Sequence, residues 1–239
     1  MEKINENIFH QYNKWKQGYT RKENSFKQRV QKFLSNREDA DMYSISKDGK
    51  HLNANDDVYI HDEDIHDGKL IVQFGEVKGC FDCICCASLT SLEGAPKEVG
   101  GDFSCYSCKK LTSLEGAPEK VGKYFSCSEC KKLTSLEGAP KEVHRSFECA
   151  NCDSLTSLEG APKKIGRNFD CNNCKNLTSL VGLPEKVGGY FDCSGCENLT
   201  SIEGLPKEIG GDLYIDKRFK GKIPNDVIIK GEIRYVPNK

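Results

Sequence analysis

No stretch of this 239-residue chain is apolar for long enough to cross a bilayer, and its start, Met-Glu-Lys-Ile-Asn-Glu-Asn, is too polar for the core of a signal peptide. The expected compartment is the cytoplasm. Net charge is also lacking: 35 basic residues face 36 acidic ones, which argues against a general polyanion binder. No nucleophile elbow, phosphate-cradling loop, metalloprotease motif or unique pair of carboxylates stands out, so nothing points to catalysis.

What the sequence does have is a period. Phe81, Phe103, Phe125, Phe147, Phe169, Phe191 and Leu213 lie 22 residues apart, and Phe-x-Cys-x-x-Cys-x-x-Leu-Thr-Ser-Leu-Glu-Gly-Ala-Pro-Lys-Glu-Val-Gly-Gly recurs between them with few changes. A constant period of this size signals a repeat solenoid whose units cannot bury a core alone, so function is expected on a stacked surface and not in one pocket. Val58 and Ile60, then Leu70, Phe74 and Val77, continue the inward positions in degraded form at one end, and Ile229, Ile233 and Tyr235 do so at the other. The reading is nine strand positions, beginning near residues 58, 81, 103, 125, 147, 169, 191, 213 and 233. Within a unit, Phe103, Cys105 and Cys108 face inward, Leu111 and Leu114 follow, and Val121 closes the circuit. Gly116, Pro118 and Gly122 exclude a long helix on the return path, which is expected to be extended or short 3₁₀ structure.

Four segments follow. Residues 1–40 read as helical: Ile4, Ile8, Tyr12, Trp15 and Tyr19 recur at helical spacing, then Phe26, Val30 and Phe33, with Asn24 or Ser25 as the N-cap of the second stripe. Residues 41–79 form an acidic linker and N-terminal cap repeat, with 9 acidic against 4 basic residues and a short hairpin expected around Lys47-Asp48-Gly49. Residues 80–212 hold six regular repeats, and residues 213–239 the C-terminal cap repeats.

The motif Phe103-x-Cys105-x-x-Cys108-x-x-Leu111-x-x-Leu114 resembles the leucine-rich repeat, with Phe and the first Cys on the strand and the second Cys on the ladder position. That resemblance implies parallel strands, a mostly non-helical convex side and a binding scaffold that brings no catalytic residue or cofactor. The phrase Leu-Thr-Ser-Leu-Glu-Gly-Ala-Pro is also similar to arrays of tailed phages and other viruses. On that resemblance the expected partner is a protein, for example a host defence factor that the array sequesters.

The Cys-x-x-Cys pairs, at Cys-x₂-Cys-x₁₈-Cys-x₂-Cys spacing, would suit zinc. Against this stands a ladder of inward thiols acting as small hydrophobes with a weak hydrogen-bond donor, which is the reading favoured, so no metal or cofactor is expected. Candidate partner-binding residues come from the columns that vary between units: Glu148, Asp170 and Asp192 as an acidic file, Lys123, Arg145 and Arg167 as basic residues in three consecutive units, and Tyr106, Tyr124 and Tyr190 as aromatic anchors. A second basic file, Lys109, Lys110, Lys131, Lys132 and Lys175, with the basic residues of the N-terminal region, supports nucleic-acid binding as the minority alternative. His61-Asp62-Glu63-Asp64-Ile65-His66-Asp67 reads as an acidic cap loop in preference to a cation site.

Overall fold

One circuit of the chain takes 22 residues, so equivalent residues of consecutive units meet side by side. In the computed structural model, which describes residues 21–35 and 37–237, Phe81 pairs with Phe103, Phe103 with Phe125, and so on to Phe191 with Leu213, always in parallel register. The result is a parallel β-solenoid of about eight turns. Its first sheet has nine strands, starting at Val58, Phe81, Phe103, Phe125, Phe147, Phe169, Phe191, Leu213 and Ile233, which are the nine positions expected from the sequence. The last step, Leu213 to Ile233, is 20 residues and keeps register through Asp216 and Val236. Rungs of such a sheet are stacked at ~4.8 Å.

The extended return path pairs with itself as well. Glu98–Val99, Lys120–Val121, Glu142–Val143, Lys164–Ile165, Lys186–Val187, Glu208–Ile209 and Ile228–Ile229 form a second parallel row within a ten-stranded sheet. From Val99 to Ile209 the β-branched residue of each dipeptide is buried, while Glu or Lys points out, as the period of two in a strand requires. Between the sheets the chain turns through glycine. Gly138 has φ +87°, and a Cβ there would lie 2.6 Å from the carbonyl carbon of Leu114 one rung below, so the rungs stack this closely only if the corner carries no side chain.

The core is a set of side-chain ladders. Phe81, Phe103, Phe125 and Phe147 stack nearly parallel with ring centroids 5.1–5.6 Å apart, and Phe169 and Phe191 continue the column. The Cys-x-x-Cys cysteines and both leucines of each regular unit are buried beside them. Burying one such Phe contributes about 1.5–3 kcal/mol, and each ring is shared by two neighbours.

At the N-terminal end, helix α1 (Arg21–Leu34) closes the stack. Phe26, Val30, Phe33 and Leu34 are buried at helical spacing, and Phe33 meets Tyr43 and Phe74 edge-on, which joins the cap to the phenylalanine column through Phe74 and Phe81. Asn24 and Ser25, expected as N-cap candidates, lie inside α1, because the helix already includes Arg21. The stripe from Ile4 to Tyr19 falls outside the described residues. The hairpin expected around Lys47-Asp48-Gly49 is present, with Tyr43–Ile45 antiparallel to Leu52–Ala54. Among the described residues no helix is long and apolar enough to cross a membrane.

One column is strained. The residue just before the second ladder cysteine adopts positive φ in six successive units, at Cys85, Ser107, Glu129, Asn151, Asn173 and Gly195. Asn and Gly tolerate that region, whereas Glu129 (φ +62°) does not do so readily. Glu129→Gly is expected to raise stability by about 0.5–1 kcal/mol in urea denaturation, the relieved strain outweighing the lost contact with Lys131.

Candidate interaction face

The inward thiols have specific partners. The second cysteine of each unit donates to the backbone carbonyl of the first ladder position one rung below: Cys108 to Cys83 at 3.0 Å, Cys130 to Cys105 at 3.2 Å, Cys152 to Cys127 at 3.2 Å and Cys174 to Cys149 at 3.1 Å. Cys86 extends the series to Ile60, which occupies that position in the cap. Most first cysteines point the other way and donate to the next rung, as Cys83 does to the Ser104 carbonyl at 3.1 Å. Burial holds the thiols of Cys127, Cys149, Cys171 and Cys193 well above the ordinary cysteine range, and a thiol held protonated is a poor nucleophile. Among the described residues no group of three or more Cys, His, Asp or Glu is placed to hold a metal ion. Cys85 is exposed and Cys80 partly so, while the other twelve cysteines are buried. A maleimide added to the native protein is therefore expected to modify Cys85 quickly and Cys80 slowly, with the twelve protected until denaturant is added; fast loss of more than two thiols would contradict the ladder.

The outward side of the nine-stranded sheet carries three columns. The one before Phe contains Asp102, Tyr124, Ser146, Asn168, Tyr190 and Asp212. Its short polar members accept a hydrogen bond from the backbone N–H one rung above: Asp102 from Tyr124 at 3.0 Å, Ser146 from Asn168 at 3.3 Å, Asn168 from Tyr190 at 3.0 Å and Asp212 from Glu232 at 2.9 Å. Their variation between Asp, Ser and Asn preserves one chemistry, a short acceptor, and this role was not read from the sequence. The signal was there in the shared chemical class of the residues.

The column after Phe holds the acidic file. Glu148 pairs with Asp170 and Asp170 with Asp192 in direct register. Asp170 accepts bonds from the backbone N–H and side-chain amide of Asn172, and Asp192 from the N–H and hydroxyl of Ser194. Burial raises the pKa of all three carboxyls, with Asp170 adding to the shift at Glu148, and it lifts Asp192 to about 6. Among the described residues no basic side chain is a leading cause of these shifts. Burial and the neighbouring Asp170, Glu148 and Asp192 push the Tyr190 phenol up to about 12, so these four predicted residues form one electrostatic cluster.

Lys123, Arg145 and Arg167 stack on three consecutive rungs, their backbones linked by Arg145 N–H to the Lys123 carbonyl and Arg167 N–H to the Arg145 carbonyl. All three are exposed, and the Arg145 guanidinium lies over the Tyr124 ring at 5.8 Å. Tyr106 stands apart in the third column, 41% exposed, beside the buried Ser128 and Ala150 columnmates.

Charge is handled differently on the two sheets. Along the second sheet, Lys120 pairs with Glu98, Lys141 with Glu119, Lys164 with Glu142, Lys186 and Lys230 with Glu208, and Lys207 with Glu185. The acidic file on the first sheet, and the basic triad at the corner that precedes it, have no counter-ion among the described residues. Glu115, Glu137 and Glu159, which also recur every 22 residues, are exposed to water, where an unpaired charge costs little. Half-buried carboxylates stacked at rung spacing do not have that relief.

The minority features have structural partners. In the second basic file Lys131 donates to the Asn151 carbonyl at 2.8 Å and sits between Glu129 and Asp153, and Lys175 reaches Glu197. In the acidic cap loop, Asp62 takes bonds from the N–H and hydroxyl of Ser88, which lower its pKa. Asp64 is buried against Arg37 at 2.6 Å. The first fastens the cap loop to the array, and the second ties it to the segment that follows α1.

The class defined by these features is a two-sheet parallel β-solenoid with a thiol ladder and an unpaired acidic file on one sheet. Comparison with family models, curated proteins and solved structures gives no match to this chain.

Proposed function

We propose that this chain is a non-catalytic scaffold that docks a protein on the outward face of its nine-stranded sheet. The observation that supports this reading is the unmatched charge there: Glu148, Asp170 and Asp192 are half-buried, in register and without a cation, while the second sheet of the same array pairs its acids with lysines. Holding like charges one rung apart costs stability unless a partner neutralises them. Cations presented by that partner gain from a site already partly removed from water. Tyr124 and Tyr190 supply the aromatic surface typical of contacts that carry binding energy.

A fluorescently labelled arginine-rich peptide is the probe. Its anisotropy is expected to show salt-sensitive binding that weakens at least about 10-fold in Glu148→Gln/Asp170→Asn/Asp192→Asn. It should change little in Lys110→Ala/Lys132→Ala, on another side of the coil. Equal binding by the amide variant would remove the acidic file from the account.

A further inference from the structure

Three consecutive corners of the coil carry cations where the corners on either side carry glycine. The column at the bend before each Phe strand reads Gly101, Lys123, Arg145, Arg167, Gly189 and Gly211. A Cβ at Gly101 would lie 2.8 Å from the backbone nitrogen of Cys80, and one at Gly211 would lie 2.9 Å from the carbonyl carbon of Gly189. Packing between rungs therefore gives no reason for a side chain in this column. Nor does internal pairing: Lys123, Arg145 and Arg167 are exposed and have no counter-ion among the described residues. Arg145 lies over the Tyr124 ring at 5.8 Å, a contact that orients the guanidinium and leaves its charge in place. Side chains that break the packing rule of their column without an internal return mark a site of function.

The backbone fixes the spacing of the three. Each N–H donates to the carbonyl of the column member one rung below, Lys123 to Gly101, Arg145 to Lys123, Arg167 to Arg145 and Gly189 to Arg167, at 2.6–3.0 Å. The cations thus leave the chain one rung, ~4.8 Å, apart, and ~10 Å from first to last. Before them on the circuit the second sheet is neutralised, with Lys120 on Glu98, Lys164 on Glu142 and Lys186 on Glu208. After them, Glu148 and Asp170 follow Arg145 and Arg167 by three residues, a chain reach of at most ~11 Å. The uncompensated positive charge is confined to one column.

We propose that this corner binds a linear inorganic polyphosphate chain laid along the array. The site is separate from the docking face and does not depend on it. Guanidinium forks match phosphate oxygens in geometry and charge. At an exposed corner, isolated carboxylates gain little from pairing with cations. A chain charged at every unit gains more, because neutralising it releases condensed counterions. Width selects further. A thin chain stays within the column, whereas a nucleic-acid strand carries sugars and bases and brings its phosphates within a Debye length of the acidic file. The balanced charge of the whole molecule restricts such binding to this strip.

The test is calorimetric titration of the full chain in low salt with linear inorganic polyphosphate, and with polyglutamate and single-stranded oligo(dT) of matched charge. Wild type is expected to bind polyphosphate at least about 10-fold more tightly than either, and less tightly as salt is raised. Lys123→Gln/Arg145→Gln/Arg167→Gln is expected to lose at least about 10-fold in affinity and to flatten the log–log salt slope by about 2–3. Its urea midpoint reports that it is folded; Arg167→Gln alone, expected to lower the slope by about 1, keeps the test decisive if it is not. Arg145→Lys/Arg167→Lys should keep the wild-type slope, because the charge count is unchanged. Lys110→Ala/Lys132→Ala should still bind. Glu148→Gln/Asp170→Asn/Asp192→Asn should bind polyphosphate at least as tightly as wild type, so this site and the docking face fail separately. No binding in low salt, glutamine variants that bind as wild type does, or an equal loss in Lys110→Ala/Lys132→Ala would each overturn the site. Polyglutamate or oligo(dT) bound as tightly as polyphosphate would overturn its assigned ligand.

Discussion

Replacing Phe147 with alanine is expected to cost about 3–5 kcal/mol in urea denaturation, the largest effect of any single substitution considered for this chain. Phe147 is fully buried, with its ring centroid 5.1 Å from that of Phe125 and 5.4 Å from that of Phe169. Its deletion removes two ring contacts and leaves a cavity in the middle of the column. Nearest-neighbour coupling carries a solenoid's stability, so the array is expected to lose cooperativity at that rung and unfold in two steps, the N-terminal part with its α1 cap surviving to higher urea. Phe147→Leu should cost much less, since Leu213 already fills the same column at its C-terminal end. A loss below about 1 kcal/mol for the alanine variant would mean that the column is not the spine of the fold.

Converting Glu148, Asp170 and Asp192 to their amides is expected to have the opposite sign, raising stability at neutral pH by about 1–3 kcal/mol after allowance for solvent screening. The direction follows from linkage. All three carboxyls have folded-state pKa values above the ordinary carboxylate range, with Asp192 at about 6. Between the ordinary value near pH ~4 and the raised one, the native state binds more protons than the unfolded state, so stability falls as pH rises through that window. The advantage of the amide variant is therefore full at neutral pH and absent at about pH 4. Other carboxylates respond in the reverse sense, including Asp62 held by Ser88 and Glu208 by Lys230 and Lys186, so the difference between wild type and variant is the quantity to follow. Denaturant unfolding at both pH values, at low protein concentration, measures it. An amide variant less stable than wild type at neutral pH would show that the file is already satisfied within the chain.

The sequence and the fold agree closely wherever a residue's role depends on period alone. Phe81 through Leu213 repeat so regularly that strand number, register and inward cysteines could be read directly, even where Val58 and Ile233 depart from the motif. Val121 was legible as an inward residue, but not as part of a second sheet, because pairing along the return path depends on every corner closing in the same way. Roles set by chemistry between rungs were harder to read. Asp102, Ser146 and Asn168 looked like unconstrained variation, and only the fold shows each taking the next rung's N–H. Lys131 looked like part of a free basic file until its neighbours Glu129 and Asp153 were placed beside it. The acidic file was visible as a column of like charges. Its half-burial, which gives that column its energetic cost, follows from the packing of the surrounding rungs.

That cost is the most direct handle on the account. The side-chain carboxyl ¹³C shift of Asp192 can be followed by NMR from about pH 3 to about pH 8, in moderate salt. Burial is the main cause of its raised pKa and survives screening, so the midpoint is expected at about 6 and to fall when the arginine-rich peptide is added. A midpoint already in the ordinary range near ~4, unmoved by the peptide, would contradict the claim that this face holds charge awaiting a partner.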